Sequence, residues 1–167
     1  PMKSLWLIRH AKSSWTLTDL HDSYRPLNER GYRDAQEMSL RLKKAGVKPD
    51  LIVSSHGVRA LSTALIFARQ LGYAQSAIRI VERLYESTTT EYMKTIGEFP
   101  NEVNTVLLFG HNPTISDTVN LLTGAEGMAL PTTGIAKIVF KHSTWMECAD
   151  QSGKLELLDY PKNGTSP

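Results

Sequence analysis

Short apolar segments alternate with amphipathic helical patterns along the whole chain, and this alternation restricts the fold more than any other feature. The strand-like segments are continuous or nearly continuous apolar runs of four to six residues. Strands that alternate with helices predict right-handed crossovers and a largely parallel sheet covered on both faces. We therefore predict an α/β fold, a three-layer α/β/α sandwich, with strands at residues 4–8, 50–54, 77–81, 105–109, 135–140 and 154–158.

The helices are predicted from apolar spacing and from residues that end helices. Ala35, Met38, Leu42 and Ala45 recur at spacings of 3, 4 and 3, and the pattern stops at Gly46. Further helices are predicted at residues 60–71, before Gly72, at 91–99 and from Pro113 to Leu122 with Asn112 as N-cap. Residues 11–28 are expected to form a long loop, and the last seven residues are expected to be loose.

Composition excludes several classes of protein. The net charge is only +2, and the basic residues are scattered, which argues against a nucleic-acid or membrane-surface partner. The apolar runs at 5–8 and 106–109 have four residues each, too few to span a bilayer. Cys148 is the single cysteine, so a reducing, cytoplasmic compartment is expected. With 167 residues and no linker-like segment, we expect one domain over residues 1–167.

Basic and imidazole side chains follow three of the predicted strands. Arg9 and His10 follow the first strand, Arg59 comes shortly after the second, and His111 follows the strand at 105–109. Ligands of open α/β sheets bind beyond the carboxyl ends of the strands. We therefore expect these four side chains to meet at one edge of the sheet, although 49 and 52 residues separate His10, Arg59 and His111.

Phosphate is the anion that suits this set. Each residue taken singly has an ordinary structural explanation, such as a hydrogen-bonded loop histidine or a surface arginine. Like charges converge only where an anion offsets them, and the planar guanidinium matches phosphoryl oxygens bidentately. The N-termini of two predicted helices would add backbone donors at the same edge. A carboxylate could use the same site, but two histidines make sense mainly if one does covalent chemistry.

Four blocks of sequence resemble the histidine phosphatase superfamily, whose fold is called phosphoglycerate mutase-like, and within it the compact SixA-like phosphohistidine phosphatases. The blocks are LIRHAKS at 7–13, RPLNERG at 25–31, SSHGVRALSTA at 54–64 and GHNP at 110–113. The resemblance runs from Lys3 to about Phe140. Ala11 stands where most of the superfamily has glycine, and the SixA-like branch shares this departure.

The resemblance implies that His10 is the nucleophile and that Arg9, Arg59 and His111 hold the phosphoryl group. Spacing and composition alone do not distinguish the two histidines. The chemistry agrees with these roles, because nearby cations disfavour a protonated imidazole and stabilise the transferring oxygens. No metal and no cofactor are expected.

The remaining candidates are weaker. Glu86 corresponds in placement to the family's acidic residue, with Glu82 as its competitor, and phosphohistidine would need less help from an acid. Ser13 could bond a phosphoryl oxygen or cap a turn. Arg25 could reach the substrate beyond its phosphate or be a surface residue, and Asn112 could touch phosphate or only cap its helix. Trp15 is expected near the entrance.

Three alternatives stay open. His10, His56 and His111 could form a zinc triad, although two arginines beside a cation are unfavourable. The chain could be a non-catalytic phosphate-recognition module, or a mutase-like phosphotransferase.

The expected partner is a phosphorylated protein, such as a histidine-containing phosphotransfer domain, or a small phosphoester. A phosphate or sulfate ion is expected in the pocket.

Overall fold

The computed structural model describes residues 2–162, and within that range six strands form one sheet flanked by four α-helices. The strands are β1 (Lys3–Arg9), β2 (Leu51–Ser54), β3 (Arg79–Ile80), β4 (Thr105–Gly110), β5 (Ile135–Phe140) and β6 (Lys154–Asp159). The helices are α1 (Glu29–Lys44), α2 (Val58–Leu71), α3 (Thr89–Gly97) and α4 (Thr114–Thr123).

The sheet has the order β3-β2-β4-β1-β5-β6. The strands β3, β2, β4 and β1 are parallel neighbours, whereas β5 runs antiparallel to both β1 and β6. This mostly parallel sheet between helical layers confirms the predicted three-layer α/β/α sandwich, and it matches the phosphoglycerate mutase-like fold. Within the described residues no helix is long and apolar enough to cross a bilayer.

The central strand β1 supplies side chains to two separate cores because successive residues of a strand point to opposite faces. Leu5 and Leu7 pack in the core that includes residues of α3 and α4. Trp6 and Ile8 pack in the core that includes residues of α1 and α2. Both faces of β1 are therefore buried. Its carboxyl end lies between the ends of β4 and β5.

Several predicted elements differ by one or two residues at their boundaries. The helix expected at 91–99 spans Thr89–Gly97, because the Thr88 hydroxyl accepts from the backbone of Glu91 and caps the helix earlier. The strand expected at 77–81 is only Arg79–Ile80, since residues 75–77 form a 3₁₀ turn instead. Of the last seven residues, 163–167 lie outside the described range.

Asn112 is not the N-cap of α4, which corrects the prediction from sequence. The helix begins at Thr114, with Pro113 as its cap residue after a cis Asn112–Pro113 bond. The amide of Asn112 is engaged elsewhere: its Nδ2 donates to the carbonyl of Leu130, and its Oδ1 accepts from the hydroxyl of Ser116. Asn112 therefore links the backbone at Leu130 to Ser116 of α4 rather than capping the helix.

Candidate active site

The register of the sheet places the two histidines side by side. In the β1–β4 pair Arg9 lies opposite Gly110, so His10 and His111 leave neighbouring parallel strands at the same level. The backbone N–H of His10 donates to the carbonyl of Gly110 at 3.1 Å. The two imidazole ring centroids are 5.3 Å apart. Arg59 reaches the same place from the first turn of α2, so three predicted site residues meet as expected.

The hydrogen bonds of His10 fix its tautomer. Nδ1 lies 2.7 Å from the carbonyl oxygen of Ala11, which can only accept, so Nδ1 carries the proton. The neutral ring then has its lone pair on Nε2. The Nε of Arg59 donates a hydrogen bond to this Nε2 atom, with 3.4 Å between the two nitrogens. His10 thus presents an unprotonated nitrogen beside a permanent positive charge.

Ser55 orients the second histidine. Its hydroxyl oxygen accepts from the backbone N–H of Gly57 at 3.0 Å and lies 2.8 Å from Nε2 of His111. The hydroxyl proton of Ser55 can bond Nε2, and in that tautomer the ring proton of His111 lies on Nδ1. That Nδ1 atom is buried and has no partner among residues 2–162. In that tautomer His111 can donate from Nδ1.

Both imidazoles are neutral at physiological pH. Burial lowers the pKa of His10 to about 4, and the charges of Arg59, Arg9 and Arg25 add to the effect against the opposing hydrogen bond to Ala11. Burial, with His10 and Arg59, lowers the pKa of His111 to about 3. The cations act in the direction expected from the sequence, but burial is the larger cause.

Arg9 and Thr133 add unsatisfied polar atoms next to His10. Nη1 of Arg9 donates to the carbonyl of Leu130, whereas its Nε is buried without a partner in the described chain. Thr133 is fully buried, and its hydroxyl also lacks a partner there. Its φ of +61° is unusual for a β-branched residue, and such backbone strain clusters at functional sites. Unpaired buried donors of this kind are typical of an anion pocket.

Asp22 is the site residue that the sequence analysis missed. Its carboxylate accepts from Nε of Arg25 at 2.9 Å, from Nη2 of Arg59 at 2.9 Å and from the Tyr85 hydroxyl at 2.6 Å. The backbone carbonyl of Asp22 accepts from Nη1 of Arg59. Burial raises the pKa of Asp22, but these hydrogen bonds lower it more, and the carboxyl stays ionised. In the amino-acid sequence, its position three residues before Arg25 was the only indication of this role.

Ser13 and Arg25 form a supporting layer behind Asp22. Arg25 is buried rather than on the surface, and its Nη1 donates to the Ser13 hydroxyl at 2.7 Å. The Arg25 guanidinium also lies 3.5 Å from the ring centroid of Trp15, a side chain that is 69% exposed. The loop expected from the sequence therefore reaches the site through Arg25. Ser13 holds Arg25, and its assignment to a phosphoryl oxygen stays a prediction.

A cavity of about 250 Å³ adjoins Arg59 and His111. Glu86 and Asn112 both line it, whereas Glu82 is not among its lining residues. Glu86 is exposed and has a φ of +47°, a left-handed conformation that is uncommon for glutamate. The structure places Glu86, rather than Glu82, beside the candidate pocket, and its role as an acid stays a prediction.

The three histidines of the alternative zinc site are not grouped around one point. His56 is exposed and contacts Tyr85, with ring centroids 5.0 Å apart and ring planes tilted by 54°. Across residues 2–162 no three histidine, cysteine or acidic side chains are grouped closely enough to hold a metal ion.

Sequence reasoning also passed over the residues that hold the site in shape. Thr63 accepts from the backbone N–H of Ala11 and donates to the carbonyl of Arg59, so one hydroxyl ties α2 to the loop after His10. Tyr92 accepts from the backbone N–H of His111 and donates to the carbonyl of Leu84. Thr63 stands inside the block at 54–64, whereas nothing in the sequence marks Tyr92.

Comparison with known proteins identifies the family to which the chain is similar. The model of the histidine phosphatase superfamily (branch 1) matches residues 5–102. The solved structure of SixA from Agrobacterium tumefaciens has a TM-score of 0.79 and 27% identity, over 95% of this chain and 98% of that one. An uncharacterized chloroplastic protein from Arabidopsis thaliana is 29% identical over 95% of this chain and 78% of its own length.

A shorter similarity links the chain to a mutase. A 2,3-bisphosphoglycerate-dependent phosphoglycerate mutase of Brucella anthropi is 38% identical over 72 residues, which are 42% of this chain and 35% of the mutase. The family match covers more than half of this chain and includes Arg9, His10 and Arg59. The chain belongs to the histidine phosphatase superfamily, and within it resembles the compact SixA-like branch.

Proposed function

We propose that this protein is a metal-independent phosphatase that acts on phosphohistidine in proteins, or on small phosphomonoesters, through a covalent intermediate on His10. One observation carries the proposal. The hydrogen bond from Nδ1 of His10 to the Ala11 carbonyl leaves the lone pair on Nε2, 3.4 Å from the Arg59 guanidinium. A neutral nucleophile beside fixed positive charge is the arrangement that phosphoryl transfer requires.

The reaction has two steps. In the first, Nε2 of His10 forms a bond to phosphorus while the bond to the leaving group breaks. Arg9, Arg59 and the Nδ1–H of His111 hold the phosphoryl oxygens, where the charge of the transition state is spread. In the second, water attacks phosphorus, the P–N bond breaks and orthophosphate leaves. Ser13, Arg25 and Asn112 are secondary candidates for substrate contacts, and Glu86 is the candidate acid for phosphoesters.

The choice of substrate rests on the SixA-like resemblance. A phosphohistidine carried by a phosphotransfer domain is the substrate class that this resemblance implies, and small phosphoesters are the alternative. The lone Cys148 supports a cytoplasmic location. We expect orthophosphate or sulfate to bind in the pocket, and neither a nucleic acid nor a membrane to be a partner.

Trapping of the intermediate tests the proposal. The wild-type protein, mixed with a ³²P-labelled phosphohistidine protein and quenched within milliseconds, is expected to carry acid-labile, base-stable label on His10. His10→Ala is expected to carry none and to release no phosphate. His142→Ala is the matched control, since His142 bonds the Thr144 carbonyl in the loop after β5. Turnover that persists in His10→Ala, or that stops with a chelator, would contradict the proposal.

Two other functions would give different experimental results. A phosphate-recognition module would bind the phosphorylated partner without taking up label. A mutase-like phosphotransferase is suggested by the 38% identity to the Brucella mutase, and it would isomerise phosphoglycerate without releasing phosphate. Release of orthophosphate together with label on His10 supports the phosphatase.

A further inference from the structure

The pocket contains one carboxylate in direct contact with its arginines. Asp22 binds Arg25 through Oδ1, and binds Arg59 and Tyr85 through Oδ2. Arg59 also points its Nε at Nε2 of His10. A single guanidinium therefore separates the Asp22 carboxylate from the nitrogen that would attack phosphorus.

This carboxylate still has room for another donor. A carboxylate offers about four acceptor positions, and Asp22 uses three for side-chain donors, only one of them on Oδ1. Its side chain is 41% exposed, whereas that of Arg59 is 9% exposed. The free acceptor position therefore belongs to a side chain that solvent reaches more readily than it reaches Arg59.

Resting on the proposed function, we propose that Asp22 is a specificity-determining residue that accepts a hydrogen bond from the protonated ring nitrogen of a phosphoimidazole leaving group. The negative charge of Asp22 would be a handicap for a general phosphatase, because it repels a phosphate dianion and a departing alkoxide. It is an advantage when the leaving group carries a positive charge and an N–H donor.

The chemistry of the leaving group explains this preference. In a protonated phosphoimidazole one ring nitrogen bears the phosphoryl group and the other bears a proton. When His10 Nε2 forms its bond to phosphorus, the old N–P bond breaks and its electron pair stays on the ring nitrogen. The ring leaves as neutral imidazole with its proton in place, so no acid has to deliver one. Asp22 keeps that proton on the ring by accepting its hydrogen bond.

A phosphoester gains nothing from the same residue. Its leaving oxygen must receive a proton, and the ionised Asp22 has none to give. The preference for nitrogen over oxygen leaving groups is therefore assigned to a residue outside the blocks that place His10, Arg59 and His111 in the site.

The test compares two substrates in one peptide sequence, one with phosphohistidine and one with phosphotyrosine. We expect Asp22→Asn to lower kcat/KM for the phosphohistidine peptide at least tenfold more than for the phosphotyrosine peptide. Asp34→Asn is the matched control, because Asp34 pairs with Arg30 on α1 outside the site, and it should leave the ratio unchanged. Asp22→Ser carries the same expectation should the asparagine variant fail to fold, as judged by thermal unfolding.

Each outcome is decisive. A selective loss for phosphohistidine supports the role of Asp22. An equal loss for both peptides would overturn it, because Asp22 would then only position Arg59, and so would no loss at all. Failure of the wild-type protein to hydrolyse either peptide would instead contradict the proposed phosphatase function.

Discussion

At the scale of single residues, Arg59 makes the contacts that define the site. Its Nε faces His10, while Nη1 and Nη2 bond the backbone and side chain of Asp22. The end of the guanidinium is thus engaged by the protein, and its Nε edge is the part that faces the nucleophile. No lysine ammonium can reproduce three donors at these fixed angles.

We therefore expect Arg59→Lys to lower kcat/KM by about 10² to 10³, the usual effect of losing one preorganised donor of a transition-state pocket. Steady-state kinetics with a phosphohistidine peptide would measure it. Arg41→Lys is the matched control, because Arg41 makes comparable bonds with Asp159 away from the site. Near-normal activity of Arg59→Lys would argue against the pocket.

Ser55 supplies the hydrogen-bond partner of Nε2 of His111. Without its hydroxyl, Nε2 of His111 loses its 2.8 Å partner, and both tautomers become available. We expect Ser55→Ala to lower kcat about tenfold, the worth of one hydrogen bond, with little change in KM. Ser54→Ala, which removes a hydroxyl that bonds only the Ser55 carbonyl, should have no such effect on kcat. A loss confined to KM would contradict this role.

The residues whose convergence was predicted from the sequence share one property. Arg9, His10 and His111 stand at or just after strand ends, and Arg59 on the first turn of a helix, where the topology of the sheet alone decides that they meet. Asp22 and Thr133 lie on loops whose paths depend on tertiary packing. No period or spacing in the sequence fixes such a path, so their positions could not be predicted.

At the scale of elements, the turn between β2 and α2 is shaped to fit His111. A Cβ on Gly57 would lie 3.0 Å from Cε1 and 3.2 Å from Nε2 of His111, and 3.3 Å from Cδ1 of Tyr85. The φ and ψ of Gly57 are −54° and 131°, which alanine also adopts. The need for glycine is therefore a matter of space and not of backbone conformation.

Gly57→Ala should accordingly displace the imidazole of His111 by a few tenths of an ångström while the fold remains. We expect kcat to fall about tenfold, because small misplacements of a reacting group are costly, and the free energy of unfolding to change by less than about 1 kcal/mol. Gly97→Ala is the control, since its Cβ would meet only the Met146 backbone at 3.9 Å. Unchanged kinetics would show that the turn tolerates a larger residue.

The elements themselves were predictable because buried strands are nearly continuous apolar runs, whereas helices repeat apolar residues every three or four positions. The exact ends of the strands and helices were less predictable. The predicted strand at 77–81 was shortened to Arg79–Ile80 by a local 3₁₀ turn, and the fourth helix lost Asn112 as its cap to a bond with Leu130. In both cases a local hydrogen bond, which the apolar pattern does not record, decided where the element ends.

At the scale of the whole molecule, the site is built at the expense of stability. Two arginines converge on one carboxylate, and two buried imidazoles must stay neutral. Burying neutral histidines depresses their pKa values below those of the unfolded chain, and this difference makes stability depend on pH. This pH dependence of stability arises from the two buried histidines of the folded site, and it can be measured without a substrate.

The sign follows from the two pKa values. Above pH 6.5 His10 is neutral in both states and contributes nothing. Between 6.5 and about 4 the unfolded chain binds a proton that the folded site refuses, so the free energy of unfolding falls as the pH falls. For His10 alone the full loss is about 3 kcal/mol, since each pKa unit is worth about 1.4 kcal/mol. Asp22 adds its own loss only below roughly pH 4, because its pKa is lowered from an already acidic value.

Urea unfolding at pH 7, 5.5 and 4.5 measures this dependence. We expect the wild-type free energy of unfolding to decrease across the series and the decrease to be smaller in His10→Gln and in His111→Gln, which have one imidazole fewer to protonate on unfolding. His142→Gln should keep the wild-type dependence, because the loop after β5 lies outside the site. If the wild type were equally stable at pH 7 and 4.5, then His10 and His111 would not be buried as neutral rings, and the lone pair on Nε2 of His10 would no longer be assured at physiological pH.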